Sequence, residues 1–392
     1  MNRRDEPQVF VLDRPRGVPR GLSFAQAIAL AGWAAGRARP APHESPHESL
    51  HDLPTDLPLD LPHLAAALRR RGAVAVWVAG PDAAPGQPSQ WLDTPHARGW
   101  VSADAGIDIA ACLPAWQAHR ADGHLPVDAA LLAWPKLPQL SWGDQPEPVS
   151  LAPAAAPPSA VAPLGLYAIV DSAAAVRRVL QAGVRSVQLR VKRPTDADAA
   201  WATALRAAVR DSLLAAEDHA ALLFINDHWR LAAELGARAV HLGQEDLLAL
   251  GATGRAELRV SGLGLGVSSH AVWELCRARS LGPRYIACGP VWPTTTKNMP
   301  WRPQGLDNLA WWCRAADAPV VAIGGILTPD QVRQAAAAGA SGVCVLRGLG
   351  SDPRLTVGAL QQAFDQGRHE AQARAGQALL PARLHPTLDP EA

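Results

Sequence analysis

The chain has almost no charge imbalance: 37 Lys and Arg stand against 36 Asp and Glu, a formal net charge of +1 over 392 residues. That leaves no electrostatic field to gather nucleic acid or an anionic membrane. Five scattered cysteines (Cys112, Cys276, Cys288, Cys313 and Cys344) form no Cys-x-x-Cys pair and no zinc spacing, so they read as reduced thiols. No run of 18 apolar residues occurs, and the polar start Met1-Asn2-Arg3-Arg4-Asp5 has no leader pattern, so a cytoplasmic location is expected. There is no early Gly-x-Gly-x-x-Gly turn of the dinucleotide-binding kind. Nor does any Ser or Cys sit beside a base as an activated nucleophile would.

Proline is unevenly spread. Of 35 prolines, 23 fall before residue 164, many of them in a low-complexity run from Pro40 to Pro62 with three Leu-Pro steps. That run reads as an extended linker. A second Ala/Pro-rich linker spans 151–163. Two domains follow: a divergent Pro-rich α/β region over 1–150 and a second unit over 164–370, with 371–392 as a frayed tail. Within the first region, Leu64–Gly72 is expected to be helical, Ala73–Val78 a strand and Trp91–Val101 a hairpin.

From Leu164 onward, short apolar runs alternate with Ala-rich stretches. The expected strands are Leu166–Val170, Ser186–Val191, Leu222–Asn226, Ala239–Leu242, Gly262–Val267, Tyr285–Gly289, Val320–Gly324 and Gly342–Leu346. Their unbroken apolarity suits parallel strands covered on both faces. Helices are expected over Asp196–Glu217, His228–Leu235, Ala271–Leu281, Leu306–Arg314 and Thr328–Ala338, the last opened by Thr-Pro-Asp. Eight such units in roughly 200 residues fit a (β/α)8 TIM barrel, whose site lies at the C-terminal strand ends.

Polar clusters fall at those ends. Gln188, Arg190 and Lys192 alternate along one strand and would share its inward face, which calls for an anionic partner. Asp227 and Asp246, after the third and fourth strands, are able to hold one Mg²⁺ between them, although Asp227 is equally placed to cap the helix that follows. His241 and His270 read as structural hydrogen-bonders. The loop Gly289-Pro290-Val291-Trp292-Pro293-Thr294-Thr295-Thr296-Lys297 packs three hydroxyls and an ammonium group between prolines, suited to phosphate. Ser268 and Gly325 lie where small residues let a phosphate approach the backbone.

In order, these segments read Gln-Leu-Arg-x-Lys, Ile-Asn-Asp, His-x-Gly-Gln-Glu-Asp, Gly-x-Ser-x-His, Gly-Pro-x-x-Pro-Thr-x-Thr-Lys and Ile-Gly-Gly-Ile, and the set resembles thiamine-phosphate synthase from about Leu164 to Gly367. The resemblance implies a (β/α)8 barrel that joins a hydroxymethylpyrimidine diphosphate to a thiazole phosphate, releasing pyrophosphate, with Mg²⁺. It implies that Gln188, Leu189, Arg190, Val191, Lys192, Asn226, Ser268 and Lys297 bind the pyrimidine diphosphate. Asp227 and Asp246 would take Mg²⁺. Thr294, Thr295, Thr296 and Gly325 would take the thiazole phosphate, as would Leu346-Arg347 at the eighth strand end. Arg190, Lys192 and Lys297 would carry the catalysis by stabilising the leaving group. Val191 departs from the usual Glu, and Arg347 from an Ile- or Val-Ser type pair.

The implied partners are small-molecule substrates, with a homo-oligomer also compatible and neither nucleic acid nor membrane expected. A thiazole tautomerase of the same fold and a non-catalytic ligand sensor are the alternatives. Residues 73–132 faintly resemble part of a ribokinase-like pyrimidine phosphate kinase, with Asp104–Asp108 standing where its Gly-rich turn would be. So short a region suggests a remnant or scaffold rather than a working kinase.

Overall fold

The computed structural model describes residues 8–13, 21–22, 61–70, 72–79, 90–102, 109–143, 163–295, 300–374 and 384–388. Two compact units divide the chain, Met1–Ser150 and Leu151–Ala392.

The first unit contains an antiparallel sheet of β1 (Gln8–Asp13), β2 (Gly21–Leu22), β3 (Ala75–Ala79), β4 (Gln90–Asp93), β5 (Arg98–Ser102) and β6 (Gln139–Leu140), in the order β2-β1-β3-β4-β5-β6. The β4–β5 hairpin pairs Leu92 with Gly99 and is closed by Thr94, whose hydroxyl donates to Ala97 O at 2.7 Å. Helix α1 (Leu61–Arg70) begins inside the run expected to be linker. Pro62 suits its first turn, where a missing N–H has no intrahelical partner to lose. Leu61, Leu64, Ala65 and Leu68 recur at helical spacing and pack with Val76, Val78 and Trp91 as one core. Trp77 donates its indole N–H to buried Gln90 at 2.9 Å. Asp104–Asp108, the stretch likened to a kinase turn, lies outside the described residues.

The second unit is a closed parallel barrel of eight strands. These are β7 (Gly165–Val170), β8 (Ser186–Leu189), β9 (Leu222–Asn226), β10 (Ala239–Leu242), β11 (Gly264–Ser269), β12 (Tyr285–Cys288), β13 (Val320–Ala322) and β14 (Gly342–Val345). Strand β14 pairs with β7 and closes the ring, with Val343 opposite Leu166. Expected and observed strands agree to within a few residues, because each apolar run is buried on both faces. Helices absent from the sequence reading also occur, among them Ala173–Gln181 and Gly251–Val260. The helix Pro329–Ala337 opens as its Thr-Pro-Asp start implies, with Thr328 and Gln331 exchanging side chain–backbone bonds in a capping box.

The barrel interior holds an aromatic knot. Tyr167, Phe224 and Tyr285 meet edge to face, with centroids 5.0–5.7 Å apart. Gly266 sits directly opposite Tyr285 across the β11–β12 pairing. A Cβ there would fall 2.4 Å from the Tyr285 ring, so the sheet needs glycine to admit the phenol. Gly266→Ala is therefore expected to cost about 1–3 kcal/mol through overpacking, read as a lowered Tm.

Part of the stretch expected to fray, residues 371–374 and 384–388, is among the described residues. The final long helix runs to Arg374, and Thr387 and Leu388 are buried. His385 N donates to Asn308 Oδ1 (2.9 Å), Asn308 Nδ2 donates to His385 O (3.0 Å), and Arg302 N donates to Thr387 O (2.8 Å). Side chain–backbone pairing with Asn308, which is itself fully buried, holds residues 384–388 in place.

Candidate active site

A cavity of about 320 Å³ opens at the C-terminal ends of the strands, where a (β/α)8 barrel carries its chemistry. Its lining draws Gln188, Arg190 and Lys192 from the end of β8, Asn226 and Asp227 from β9, and Asp246 from the turn after β10. Ser268 of β11, Thr294 after β12, Gly325 after β13 and Leu346-Arg347 after β14 complete the set.

Two sequence-chosen residues near this set lie off the lining. Leu189 is buried in the barrel wall, and Val191 turns its carbonyl to His228 Nε2 at 2.8 Å. Thr295 is drawn toward the cavity indirectly, its hydroxyl accepting from Arg347 Nη1 at 3.1 Å. Thr296 and Lys297 lie outside the described residues.

One expectation needs correcting. Strand β8 ends at Leu189, so Arg190 and Lys192 are not buried cations on an inward strand face. Arg190 is half-buried and the Lys192 side chain is 53% exposed. Lys192 Nζ instead donates to Asp227 Oδ2 at 2.5 Å. An ion pair this exposed contributes only about 0–1 kcal/mol to stability. Its place at the mouth of the cavity is thus better explained by what the two charges do to a ligand.

Asp227 adopts φ +65°, a left-handed conformation uncommon outside glycine but accessible to Asp and Asn. Its backbone N–H donates to His241 O (3.1 Å). The helix that follows, Trp229–Glu234, has no side-chain cap, so the capping alternative for Asp227 falls away. Asp246 stands in the first turn of the helix Gln244–Ala249 and accepts from Gly243 N at 2.9 Å through Oδ2.

Each carboxylate thus commits one oxygen to the protein and leaves Oδ1 without a hydrogen bond among the described residues. Nearby, the buried Nδ2 of Asn226 has no hydrogen-bond partner among the described residues. No group of three or more His, Cys, Asp or Glu suited to a metal occurs among the described residues. Two free carboxylate oxygens fit Mg²⁺ in its usual mode, in which water and substrate phosphate supply the remaining ligands.

The Gly324-Gly325 turn, at φ +93° and +71°, packs against the phosphate-type loop. A Cβ on Gly325 would meet Trp292 O and Pro293 O at 2.6 Å, and one on Gly324 would meet Pro290 at 2.6 Å. Trp292 N donates to Gly324 O (3.1 Å), and Val291 N to Ile323 O (2.8 Å). These glycines therefore admit the chain's own backbone first, and that contact sets the height of Thr294 over the cavity.

The sequence reading missed several lining groups. Trp301 stacks on His270 at 5.3 Å, and His270 Nδ1 lies 2.9 Å from Glu274 Oε2. Gln304 reaches back to His270 O at 2.7 Å, while its N–H donates to Pro290 O (2.7 Å). The i,i+4 spacing of His270 and Glu274 was a readable signal, but the return of Trp301 across the loop was not. Because His385, Asn308 and Arg302 fasten the tail to this same segment, deletion of residues 384–392 is expected to speed amide exchange over 290–304.

Burial determines the ionisation of the inner groups. Desolvation lowers the His241 pKa to about 4, reinforced by Arg190 and Lys192 and opposed by Asp227, so the ring is neutral near pH 7. Burial likewise raises the phenols of Tyr167 and Tyr285 and the thiols of Cys288 and Cys344. The buried thiols stay protonated and supply no nucleophile. Among the described residues no helix is long and apolar enough to cross a membrane.

The sequence profile described as thiamine monophosphate synthase matches residues 166–349. The thiamine-phosphate synthase of Neisseria meningitidis serogroup A is 42% identical over 206 residues, covering 52% of this chain and 96% of that protein. The thiamine-phosphate synthase of Escherichia coli O6:H1 is 48% identical over 164 residues, covering 42% of this chain and 74% of the relative. A solved thiamine phosphate pyrophosphorylase from Pyrococcus furiosus is 26% identical with a TM-score of 0.43, over 52% of this chain and 96% of that one. With nearly the full length of the Neisseria protein accounted for at this identity, the chain belongs to the thiamine monophosphate synthase family.

Proposed function

We propose that the barrel joins hydroxymethylpyrimidine diphosphate to a thiazole phosphate, giving thiamine phosphate and pyrophosphate, and that its cavity is built around a departing diphosphate. The observation that carries this reading is the meeting in one cavity of Arg190, Lys192, Asp227 and Asp246, which follow β8 to β10, with Thr294 and the Gly324-Gly325 turn, which follow β12 and β13 across the barrel. Cations and carboxylates on one side suit a metal-bound diphosphate, and hydroxyls on the other suit a second phosphate.

In this reading Asp227 and Asp246 hold Mg²⁺, which when bound supplies positive charge to the leaving group. Arg190 and Lys192 face the same oxygens, and the sequence motif assigns Lys297 the same role. Charge grows on the diphosphate as its C–O bond breaks, so fixed cations here act more strongly on the transition state than on bound substrate. The electron-rich aminopyrimidine carries the resulting benzyl-type cation until the thiazole nitrogen bonds to it, a dissociative course. Gln188, Asn226 and Ser268 lie deeper and hold the pyrimidine ring. Thr294, Thr295, Thr296, Gly325 and Arg347 hold the thiazole phosphate.

A tautomerase needs no diphosphate site, and a sensor needs no clustered leaving-group cations. The assembled charge set favours the synthase over both. The test is to supply both substrates to the purified full-length protein with Mg²⁺ or with EDTA. Product that depends on Mg²⁺ supports the reading. Ring isomerisation of the thiazole alone, or ligand binding without turnover, points to the tautomerase or the sensor.

A further inference from the structure

The chain has only two tyrosines, and both are fully buried inside the barrel with their hydroxyls 2.9 Å apart. A buried phenol needs partners, and these find theirs in line. Gln188 Nε2 donates to Tyr167 Oη at 3.1 Å. Tyr285 Oη lies 2.7 Å from His241 Nδ1, and His241 Nε2 lies 2.8 Å from Ser268 Oγ. The result is one continuous path across five strands. Gln188 and Ser268 at its two ends line the active-site cavity, as does His241, while the two tyrosines do not.

Counting hydrogens gives the path a direction. Tyr167 accepts from Gln188, so its single hydrogen is left for Tyr285. Tyr285 then gives its own hydrogen to His241 Nδ1. A neutral imidazole accepting at Nδ1 carries its hydrogen on Nε2 and donates it to Ser268 Oγ. The Ser268 hydroxyl hydrogen is thereby free to point into the cavity. At the other end, Gln188 spends its amide N–H inward and leaves Oε1 toward the ligand. The reverse order, with Gln188 oriented as it is, would strand the Tyr167 hydrogen in the core without an acceptor, at the cost of an unmade buried bond. Gly266 adds independent support, since the sheet keeps a residue without Cβ directly opposite the Tyr285 ring.

We propose that Tyr167, Tyr285 and His241 form a one-way hydrogen-bond relay that fixes Gln188 as an acceptor and Ser268 as a donor toward the pyrimidine substrate. The inference rests on the synthase reading above for the identity of that substrate. Neither tyrosine need touch it; with His241, whose ring nitrogens are taken up by Tyr285 and Ser268, they act as positioning residues through Gln188 and Ser268.

Tyr285→Phe keeps the ring and removes the link, leaving His241 free to exchange tautomers. In the full-length protein it is expected to lower kcat/KM for the pyrimidine diphosphate about tenfold to a hundredfold, with the thiazole phosphate KM unchanged. Tyr167→Phe keeps the Tyr285–His241 contact and should have a smaller effect of the same kind. Nitrogen-15 NMR of the wild-type protein should show His241 in its Nε2–H form, with a mixture in Tyr285→Phe.

A wild-type His241 protonated on Nδ1 would overturn the relay's direction. Unchanged pyrimidine kinetics in Tyr285→Phe from an active wild type would overturn its role. Should Tyr285→Phe fail to fold, Tyr167→Phe and the wild-type spectrum decide the matter. If the wild type makes no thiamine phosphate, the synthase reading fails, whereas the tautomer still tests the relay.

Discussion

Asp227→Asn is expected to lower thiamine phosphate formation by about 10²–10³ and to leave the fold intact. Asn is the informative replacement because residue 227 sits at φ +65°, where Asn is tolerated and Ala is strained. The substitution keeps the shape and the local backbone but removes the charge that Mg²⁺ and Lys192 would both use. Folding should barely register the loss, since the Lys192–Asp227 pair is too exposed to contribute more than about 1 kcal/mol. Turnover assays and thermal melts on the same sample separate the two effects. A melt close to wild type with steeply reduced turnover places Asp227 in the chemistry. Near-normal turnover would remove it from the site, and the proposed Mg²⁺ pair with it.

Gly325→Ala is the second large effect, and it arises from backbone rather than charge. At φ +71° an L-residue costs about 1–3 kcal/mol in strain. The new Cβ would also lie 2.6 Å from Trp292 O and Pro293 O, main-chain atoms that cannot rotate away as a side chain would. Relief requires the 290–295 loop to lift, which carries Thr294 off the cavity and strains the Arg347–Thr295 bond. The expected outcome is a lower Tm together with a thiazole phosphate KM raised by at least tenfold, while pyrimidine diphosphate binding changes little. An equal loss for both substrates would mean that the glycine turn supports the whole cavity rather than its phosphate end.

The barrel was legible in the sequence because each strand is a short unbroken apolar run, and such runs, when buried on both faces, leave little freedom of register. Strand ends were harder to read. Period-two alternation continued Gln188 on to Arg190 and Lys192, whereas pairing stops at Leu189 and the two cations enter the cavity from a loop. The helix over Leu61–Arg70 was half hidden in a Pro-rich run, since proline composition obscured apolar positions spaced three and four apart.

Contacts between distant segments left no local pattern at all. Nothing near residue 385 signals that it clasps Asn308, and nothing near Trp301 signals its stack on His270. The Tyr167–Tyr285 bond joins residues 118 positions apart, so it emerges only once the barrel has closed. His241 was read as a structural hydrogen-bonder, and its two ring contacts show what such a residue binds.

The most direct measurement is a phosphorus-31 NMR time course of the full-length protein with pyrimidine diphosphate, thiazole phosphate and Mg²⁺. The account predicts that thiamine phosphate and pyrophosphate appear together at equal rates as the diphosphate signal decays, and that EDTA stops both. A folded protein that leaves the diphosphate signal unchanged would contradict it.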